Sequence, residues 1–541
     1  MRLLTSDPAA TATAAPRLAA SPRLRVPAAV LLALAGGLAL AAAFPPAGIW
    51  PLAAVGPALL VVALWQQRVR TALAAGAVFS AAFFFPLLSW LVNVAWYVWA
   101  ALAVAETVIV TVLVLGLWLL LRLRAWPLAA AGWWVAAEAV RDRWPWGGFP
   151  WGRLVMSQAT APTAHWVAIA GPPFLTFLVA LAGSCLAWVL LGSAGARARG
   201  QHALRARLWP AVALAASTGL ALSGTLLPAA AASAPGQTAV VAAIQGNVPH
   251  ARNLPDLLRA ATVTGNHAAA TAKLAARVRS GAAPAPDLVI WPENSTDLDP
   301  ALYPDIYNTI ATAVAGIRAP VLVGAVLQNP VRNAGQLWLP GKGPTAIYVK
   351  RRLVPFGEVI PFRGLLSKIT SLTSLQPVNF TPGHRAVVFR IGKIRLGDVI
   401  CYEVGFDGLV SSEVAAGANL LSVQTNDADF EIDGQTGETL QQLDMARIRA
   451  IENDRAVVVA STTGISAIIA PDGSLLTSTR TWRQAEIEAR VPLLTSISLA
   501  DRLGGWPEAV LVWATVAALA WVLATQLRQR RERARPDRTA E

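Results

Sequence analysis

Arg395-Leu396-Gly397-Asp398-Val399-Ile400-Cys401-Tyr402-Glu403 is the stretch on which the reading of this 541-residue chain turns. Arg395–Ile400 has the composition of a strand, and it runs into Cys401, one of only two cysteines in the chain. The other, Cys185, lies inside the apolar run 174–191 and reads as a packing residue of a membrane helix. A lone cysteine at a strand end is a candidate nucleophile provided that a base and a cation stand in comparable places. Two such places exist. Asp287–Trp291 is a short apolar strand leading into Pro292-Glu293-Asn294, and Ala346–Lys350 alternates toward the loop 351–361.

Further strands are predicted at Ala239–Ala243 (ending in Gln245-Gly246-Asn247), Pro320–Val326, Asn419–Gln424 (ending at Thr425-Asn426-Asp427), Ala456–Ser461 and Ser466–Ala470. Helical spacing covers 255–279, about 408–416 and 435–453. Strands alternating with helices indicate an α/β layered domain, in which chemistry gathers where strands end and loops begin.

The rest of the chain is of another kind. It is 55% hydrophobic and 14% charged overall, with 21 tryptophans, outside the ordinary soluble range. Apolar stretches long enough for a bilayer lie near 27–45, 49–66, 72–94, 97–121, 125–140, 163–192, 208–228 and 505–527. The chain divides accordingly into an arm (1–26), a seven-helix transmembrane domain (27–228), an α/β domain (229–500), an eighth span (501–527) and a basic tail (528–541).

The net charge of +14 invites a nucleic-acid reading, but its distribution excludes one. Residues 235–500 carry 23 Lys/Arg and 22 Asp/Glu, and the remaining 22 basic and 9 acidic residues flank the apolar spans. Arg2, Arg17, Arg23 and Arg25 precede the first span, and Arg68 and Arg70 follow the second. Arg122 and Arg124 follow the fourth, Arg197, Arg199, Arg205 and Arg207 the sixth, and six arginines from Arg528 onward the eighth. The positive-inside rule then places both termini in the cytoplasm and the α/β domain on the extracytoplasmic face of the cell membrane. The first apolar segment is expected to stay uncleaved, because another span follows almost at once. With one cysteine in the outside domain, an intramolecular disulfide there is impossible, so Cys401 stays free in an oxidising compartment.

Trp291-Pro292-Glu293, Lys350 with Leu353-Val354-Pro355-Phe356-Gly357-Glu358, and Cys401-Tyr402-Glu403 resemble the three signatures of the nitrilase superfamily. Combined with the membrane spans, the chain is similar to the apolipoprotein N-acyltransferase family, that superfamily's membrane-embedded branch, in an actinobacterial-like form. Glu138, Arg141, Gly148-Phe149-Pro150-Trp151, Arg447-Ile448-Arg449-Ala450-Ile451-Glu452 and Thr463-Gly464-Ile465-Ser466 match motifs of that family too. The resemblance implies an αββα sandwich with a Glu293–Lys350–Cys401 triad. It also implies that Glu358 supports the triad or moves on a gating loop, and that Tyr402 and Glu403 border an acyl pocket. Two departures touch substrate handling: Leu254 stands where many members have tryptophan, and Asp429 and Glu431 replace apolar positions of an Asn-Asp-Ala-Trp-Phe-Gly run.

The chemistry stands beside the name. A thiol of ordinary pKa, about 8.5, is mostly protonated at neutral pH and needs a base. Glu293 can take its proton, and Lys350 can stabilise the oxyanion formed on an ester carbonyl. The chain has five lysines against 40 arginines, so a lysine here suggests a role for a compact ammonium. His250, His267 and His384 lie in the domain, none beside such a motif. The plain alternatives are a small buried hydrophobe for Cys401, a loop carboxylate for Glu293 and a solvated lysine for Lys350. Glu138 is spaced to pair with Arg141 one turn on, and Glu106 has no partner legible in the sequence.

The expected activity is acyl transfer from a membrane phospholipid to the α-amine of S-diacylglyceryl-cysteine in a diacylated apolipoprotein, through a cysteine thioester. No metal or cofactor is implied. The alternatives are a membrane-tethered amidase acting on a small C–N substrate, and a non-enzymatic partner of a polyprenyl-phosphate glycosyltransferase; association with a mannosyltransferase of that kind is open by resemblance.

Overall fold

The computed structural model describes residues 24–197, 203–227, 237–249, 255–368, 373–374, 376–430 and 436–533. Leu254, Glu431, His250 and most of the two basic termini lie outside the described residues.

The apolar runs form helices α1 (Val26–Ala42), α2 (Leu52–Leu64), α3 (Val69–Leu87), α4 (Trp96–Leu120), α5 (Trp126–Arg141), α6 (Val167–Arg197) and α7 (Ala203–Leu222). The start of α6 is broken at Ala170 and Gly171, where Gly171 takes φ +75° ahead of Pro172-Pro173. Among the described residues five apolar helices, including the α14 described below, are long enough to cross a bilayer by length and composition. The 17-residue α1 and 13-residue α2 are shorter, about 26 and 20 Å at 1.5 Å per residue.

Thereafter the chain alternates: β1 (Thr238–Gln245), α8 (Asp256–Arg279), β2 (Leu288–Ile290), α9 (Pro304–Ile317), β3 (Val321–Leu327), β4 (Arg332–Leu339), β5 (Gly343–Val349), the short α10 (Arg363–Leu366), β6 (Val388–Ile391), β7 (Ile394–Ile400), α11 (Asp407–Ala415), β8 (Leu420–Thr425), α12 (Gly437–Asn453), β9 (Val457–Ser461), β10 (Ala467–Ile469), β11 (Leu475–Ser478), β12 (Ala485–Pro492), α13 (Leu499–Leu503) and α14 (Trp506–Arg533). Two six-stranded sheets result, ordered β12-β1-β2-β3-β4-β5 and β11-β10-β9-β8-β7-β6. The centre of each is parallel (β1-β2-β3 and β7-β8-β9) and the flanks are antiparallel, as hairpins except where β12 returns to pair with β1. Strands β4, β6, β11 and β12 and helix α9 go beyond the elements expected from the sequence.

The sheets pack face to face through Val241, Ile290, Leu322, Leu396, Ile400, Val458 and Ile468. Helices α8 and α9 cover the outer face of the first sheet with Leu274, Ile310 and Val314. On the second sheet, Val410, Met445 and Ile448 of α11 and α12 belong to one apolar cluster that continues into Phe79, Phe83, Leu154 and Trp151. The fourth layer of the αββα sandwich is thus also the floor on which the membrane helices stand. Gln441 of α12 marks the seam: its side-chain oxygen accepts from Trp151 Nε1 at 2.8 Å, and its amide donates to Pro45 O and Leu87 O at 3.0 and 3.2 Å.

Inside the helical region the spacing argument for Glu138 fails. Arg141 pairs with Glu106 of α4 at 2.5 Å, both buried, which supplies the partner that Glu106 lacks in sequence. Glu138 instead accepts from Leu154 N–H (2.7 Å) and Thr176 Oγ1 (2.9 Å). Buried polar groups in such surroundings need partners, and a contact across helices serves as well as one along a helix.

Candidate active site

Glu293, Lys350 and Cys401 each lie within three residues of the C-terminal end of a strand: β2, β5 and β7. The Glu293 turn is built on β3. Gly324 runs so close under it that a side chain there would collide with Pro292 O and Glu293 Cα. Gly324 O accepts from Thr296 N–H and Ser295 Oγ, and Gln424 of β8 donates to Trp291 O at 2.6 Å across the sandwich.

The structure brings the expected residues together and adds others. Lys350 Nζ lies 2.9 Å from Glu293 Oε1 and 3.1 Å from Glu358 Oε1. Asn333 Nδ2 donates to both carboxylates, at 2.6 and 2.8 Å, and the Asn426 N–H donates to Glu293 Oε2 at 3.0 Å. Glu358 is anchored by the Val354 N–H at 2.8 Å, so it supports the Glu293–Lys350 pair directly. Gln442 Nε2 reaches Cys401 Sγ at 3.6 Å. Asn426 lies in the strand end Thr425-Asn426-Asp427 that the sequence already marks, whereas Asn333 and Gln442 have no signal in the sequence beyond residue type. Asn333 comes into place because β4 pairs with β5, where Asn333 O accepts the Lys350 N–H at 2.9 Å.

Cys401 starts a single helical turn (401–405) after β7, has φ +52° and is 8% exposed. A left-handed cysteine costs about 1–3 kcal/mol and persists only where its surroundings hold it. Glu403 supplies the hold. Its two oxygens accept from Ile400 N–H (2.8 Å), Tyr348 OH (2.8 Å), Arg351 N–H (2.6 Å) and Arg352 N–H (2.9 Å). One buried carboxylate therefore ties the nucleophile turn to the loop that follows Lys350. Glu403 is fully buried, with both oxygens taken up in this clamp.

Tyr402 faces the membrane helices. Its hydroxyl donates to Gly148 O at 2.6 Å, and its ring stacks at 11° on Trp151 and 22° on Phe149. Tyr402 also lines an open cleft of about 230 Å³ with Trp146, Gly148, Arg352, Phe380 and Phe406. Phe430, the residue before the departure at Glu431, packs edge-on against Trp90, and Phe430 O accepts from Asn93. Asp429, just before it, is exposed.

Burial pushes the Glu293 carboxyl above its ordinary range, and Glu358 reinforces the shift against the pull of Lys350. Burial works against the Lys350 ammonium, but Glu293 and Glu358 outweigh it and hold its pKa well above the usual lysine value. Burial, with the Glu293 charge, pushes the Cys401 thiol well up, opposed by Lys350. The site thus sets an ammonium between the Glu293 and Glu358 carboxyl groups, beside a thiol whose burial favours its neutral form. His267 is remote in role: burial drives its pKa down to about 4, its Nδ1 faces Val263 O, and its ring packs on Trp291.

Comparison with known proteins agrees with this architecture. Residues 36–185 match the model of the apolipoprotein N-acyltransferase N-terminal domain, and residues 240–498 match that of the carbon-nitrogen hydrolases. The apolipoprotein N-acyltransferase of Mycolicibacterium smegmatis is 38% identical over 460 residues, covering 82% of this chain and 76% of that protein. That of Azotobacter vinelandii is 31% identical over 76% of this chain and 74% of its own length, and that of Geobacter metallireducens 29% over 71% of each. With both halves matched in order on one polypeptide, the chain belongs to the apolipoprotein N-acyltransferase family, a membrane acyltransferase with a nitrilase-like domain.

Proposed function

We propose that this protein moves a fatty acyl group from a membrane phospholipid to the α-amine of S-diacylglyceryl-cysteine at an apolipoprotein N-terminus, with Cys401 as the covalent carrier. The neutral Cys401 thiol gives its proton to Glu293 as Sγ adds to the ester carbonyl. Lys350 has three donors; two are taken by Glu293 and Glu358, and the third is free for the oxyanion. Collapse breaks the ester bond, and the lysophospholipid alkoxide leaves with the proton that Glu293 took. The thioester is then attacked by the lipoprotein amine, Glu293 removes the amine proton, and collapse returns it to the Cys401 sulfur.

The observation that carries this reading is the docking of the nucleophile turn on the membrane-helix loop, through Tyr402 OH to Gly148 O and the stack on Phe149 and Trp151. Such a site is served by lateral diffusion of bilayer-anchored substrates, whereas an amidase for small molecules has no use for it. The basic flanks of the apolar helices support an extracytoplasmic α/β domain with both termini cytoplasmic, and β1 starting at Thr238 and α14 at Trp506 support a division near 229 and 501. Association with a polyprenyl-phosphate mannosyltransferase has no support among the described residues and forms no part of the proposal.

The test is mass spectrometry of the purified protein with phospholipid and a diacylated lipopeptide. An acyl adduct on Cys401, sensitive to hydroxylamine and consumed as the triacylated peptide forms, is expected. Absence of both adduct and product in the parent protein would sink the assignment.

A further inference from the structure

The cleft beside Tyr402 holds a cation without a counter-ion. Arg351 and Arg352 are neighbours with different fates. The Arg351 guanidinium is engaged by Glu413 (2.7 Å), Ser412 and Leu409 O, and its Nε by Tyr348. Arg352 is exposed and has no carboxylate partner among the described residues; its guanidinium lies 5.2 Å over the Phe406 ring. Its place is nevertheless defined. The backbone N–H is clamped by Glu403, and a Cβ built on Gly147 would sit 3.4 Å from Arg352 Nη1, so the guanidinium lies along the 146–148 loop that leaves α5. Trp146, Phe380 and Phe406 wall the cleft, and Tyr402, the neighbour of the nucleophile, is part of its lining.

An arginine held against aromatic walls with its donors unspent is a recogniser of phosphate-type anions. The cleft's volume of about 230 Å³ falls below the roughly 300–1,000 Å³ of pockets for drug-sized ligands, which suits a compact polar group rather than an acyl chain. On the functional reading above, one substrate carries such a group and the other need not. We propose that Arg352 and this cleft seat the phosphodiester head group of the acyl donor, fixing which ester is presented to Cys401 and holding the lysophospholipid product until it leaves.

The experiment measures acylation of Cys401 in detergent micelles by two donors, a phosphatidyl lipid and a phosphate-free p-nitrophenyl acyl ester, in the parent protein, R352Q and R352K. The side chain is exposed, so the fold is not at stake; thermal unfolding of each variant checks this. For R352Q, the ratio of kcat/KM for phospholipid to that for the phosphate-free ester should fall at least tenfold, chiefly through KM. R352K keeps the charge but loses the fork, and should fall between. An unchanged ratio in R352Q overturns the assignment, as does R352K behaving no better than R352Q. A third arm presents the preformed acyl-enzyme with lipopeptides bearing acidic or neutral residues after the cysteine. A defect of R352Q confined to acidic acceptors would reassign the cleft to the peptide and also overturn the proposal. Failure of the parent protein to be acylated by phospholipid at all is a separate result, and it strikes the functional reading before any variant is compared.

Discussion

Glu403→Gln tests the claim that a carboxylate, rather than a neutral group of the same shape, holds the nucleophile turn. Four donors converge on Glu403: Oε2 takes Ile400 N–H and Tyr348 OH, and Oε1 takes Arg351 N–H and Arg352 N–H. Burial pushes its pKa up, and those N–H groups, Lys350 and the tyrosine hydroxyl work against that push. Glutamine offers one oxygen and one NH₂; with the oxygen kept on Arg351 and Arg352 N–H, the NH₂ can donate to Tyr348 OH, which accepts as well as donates, but it opposes the Ile400 N–H. Leaving that one buried donor unpaired costs about 1–3 kcal/mol. At about 2–4 °C per kcal/mol for a domain of this size, the unfolding midpoint should fall by roughly 2–12 °C. Both cysteines are buried, so the temperature at which a maleimide dye labels the detergent-solubilised protein reads this directly. Because the left-handed Cys401 backbone relies on the same clamp, acyl-enzyme formation should drop more than tenfold even well below the midpoint. A variant within about 2 °C and threefold of the parent would show that Glu403 works as a neutral acid and that the clamp argument is wrong.

Glu358 raises the pKa of both Glu293 and Lys350 by charge, so Glu358→Gln should move both limbs of the acylation rate profile to lower pH, whatever happens to its height. A stationary or upward-moving profile contradicts the arrangement. Asp398 is fully buried between the sheets; one oxygen accepts from Ser422 Oγ (2.7 Å) and the other has no partner among the described residues. The unpartnered Gln424 Oε1 and that Asp398 oxygen both face the Cα of Gly335, a place where a proton on Asp398 is useful. Burial lifts its pKa to about 7, so the folded protein binds this proton more tightly than the unfolded chain does. The stability this contributes is full below about pH 4 and is lost as pH rises through 7, roughly 4 kcal/mol across the window. Thermal unfolding between pH 5 and 8 should therefore slope downward in the parent and less in Asp398→Asn; equal slopes would refute it.

Much of the site was legible because three strand ends announce themselves. Trp291-Pro292-Glu293, Lys350 before an apolar loop, and Cys401-Tyr402-Glu403 each combine an apolar run with an abrupt polar end. Asn333 was not, since Arg332–Leu339 mixes polar, glycine and apolar residues, and its strand identity comes from pairing with β3 and β5. Likewise β12, Ala485–Pro492, alternates glutamates with apolar residues and is a strand by virtue of its eight-residue pairing with β1. Charge pairing misled where it was local: Arg141 chose Glu106, 35 residues away on another helix, over Glu138 three residues away. The inward role of Glu403 was hidden for the same reason, because three of its four donors come from residues 51 to 55 positions distant.

The segment directly after Cys401 is held by both halves of the chain. Arg449 of α12 donates to Val404 O and Gly405 O and pairs with Asp407 at 2.6 Å. Arg153, on the loop between the membrane helices, pairs with the same Asp407 oxygen at 2.7 Å. Burial opposes the Asp407 charge, but the two arginines outweigh it and hold the pKa down at about 2. Gly405 lies so close to Pro150 that a side chain there would strike the proline ring. Lifting the α/β domain off the membrane helices would break the buried Arg153–Asp407 pair, leaving Arg153 with Asp142 (3.3 Å) and Glu138 (3.8 Å) and Asp407 with Arg449 alone, and would remove the floor from under Tyr402. The Cys401 turn therefore takes its shape from both halves of the chain at once, which on the proposed function keeps the thiol beside the apolar helices that its bilayer-anchored substrates would approach.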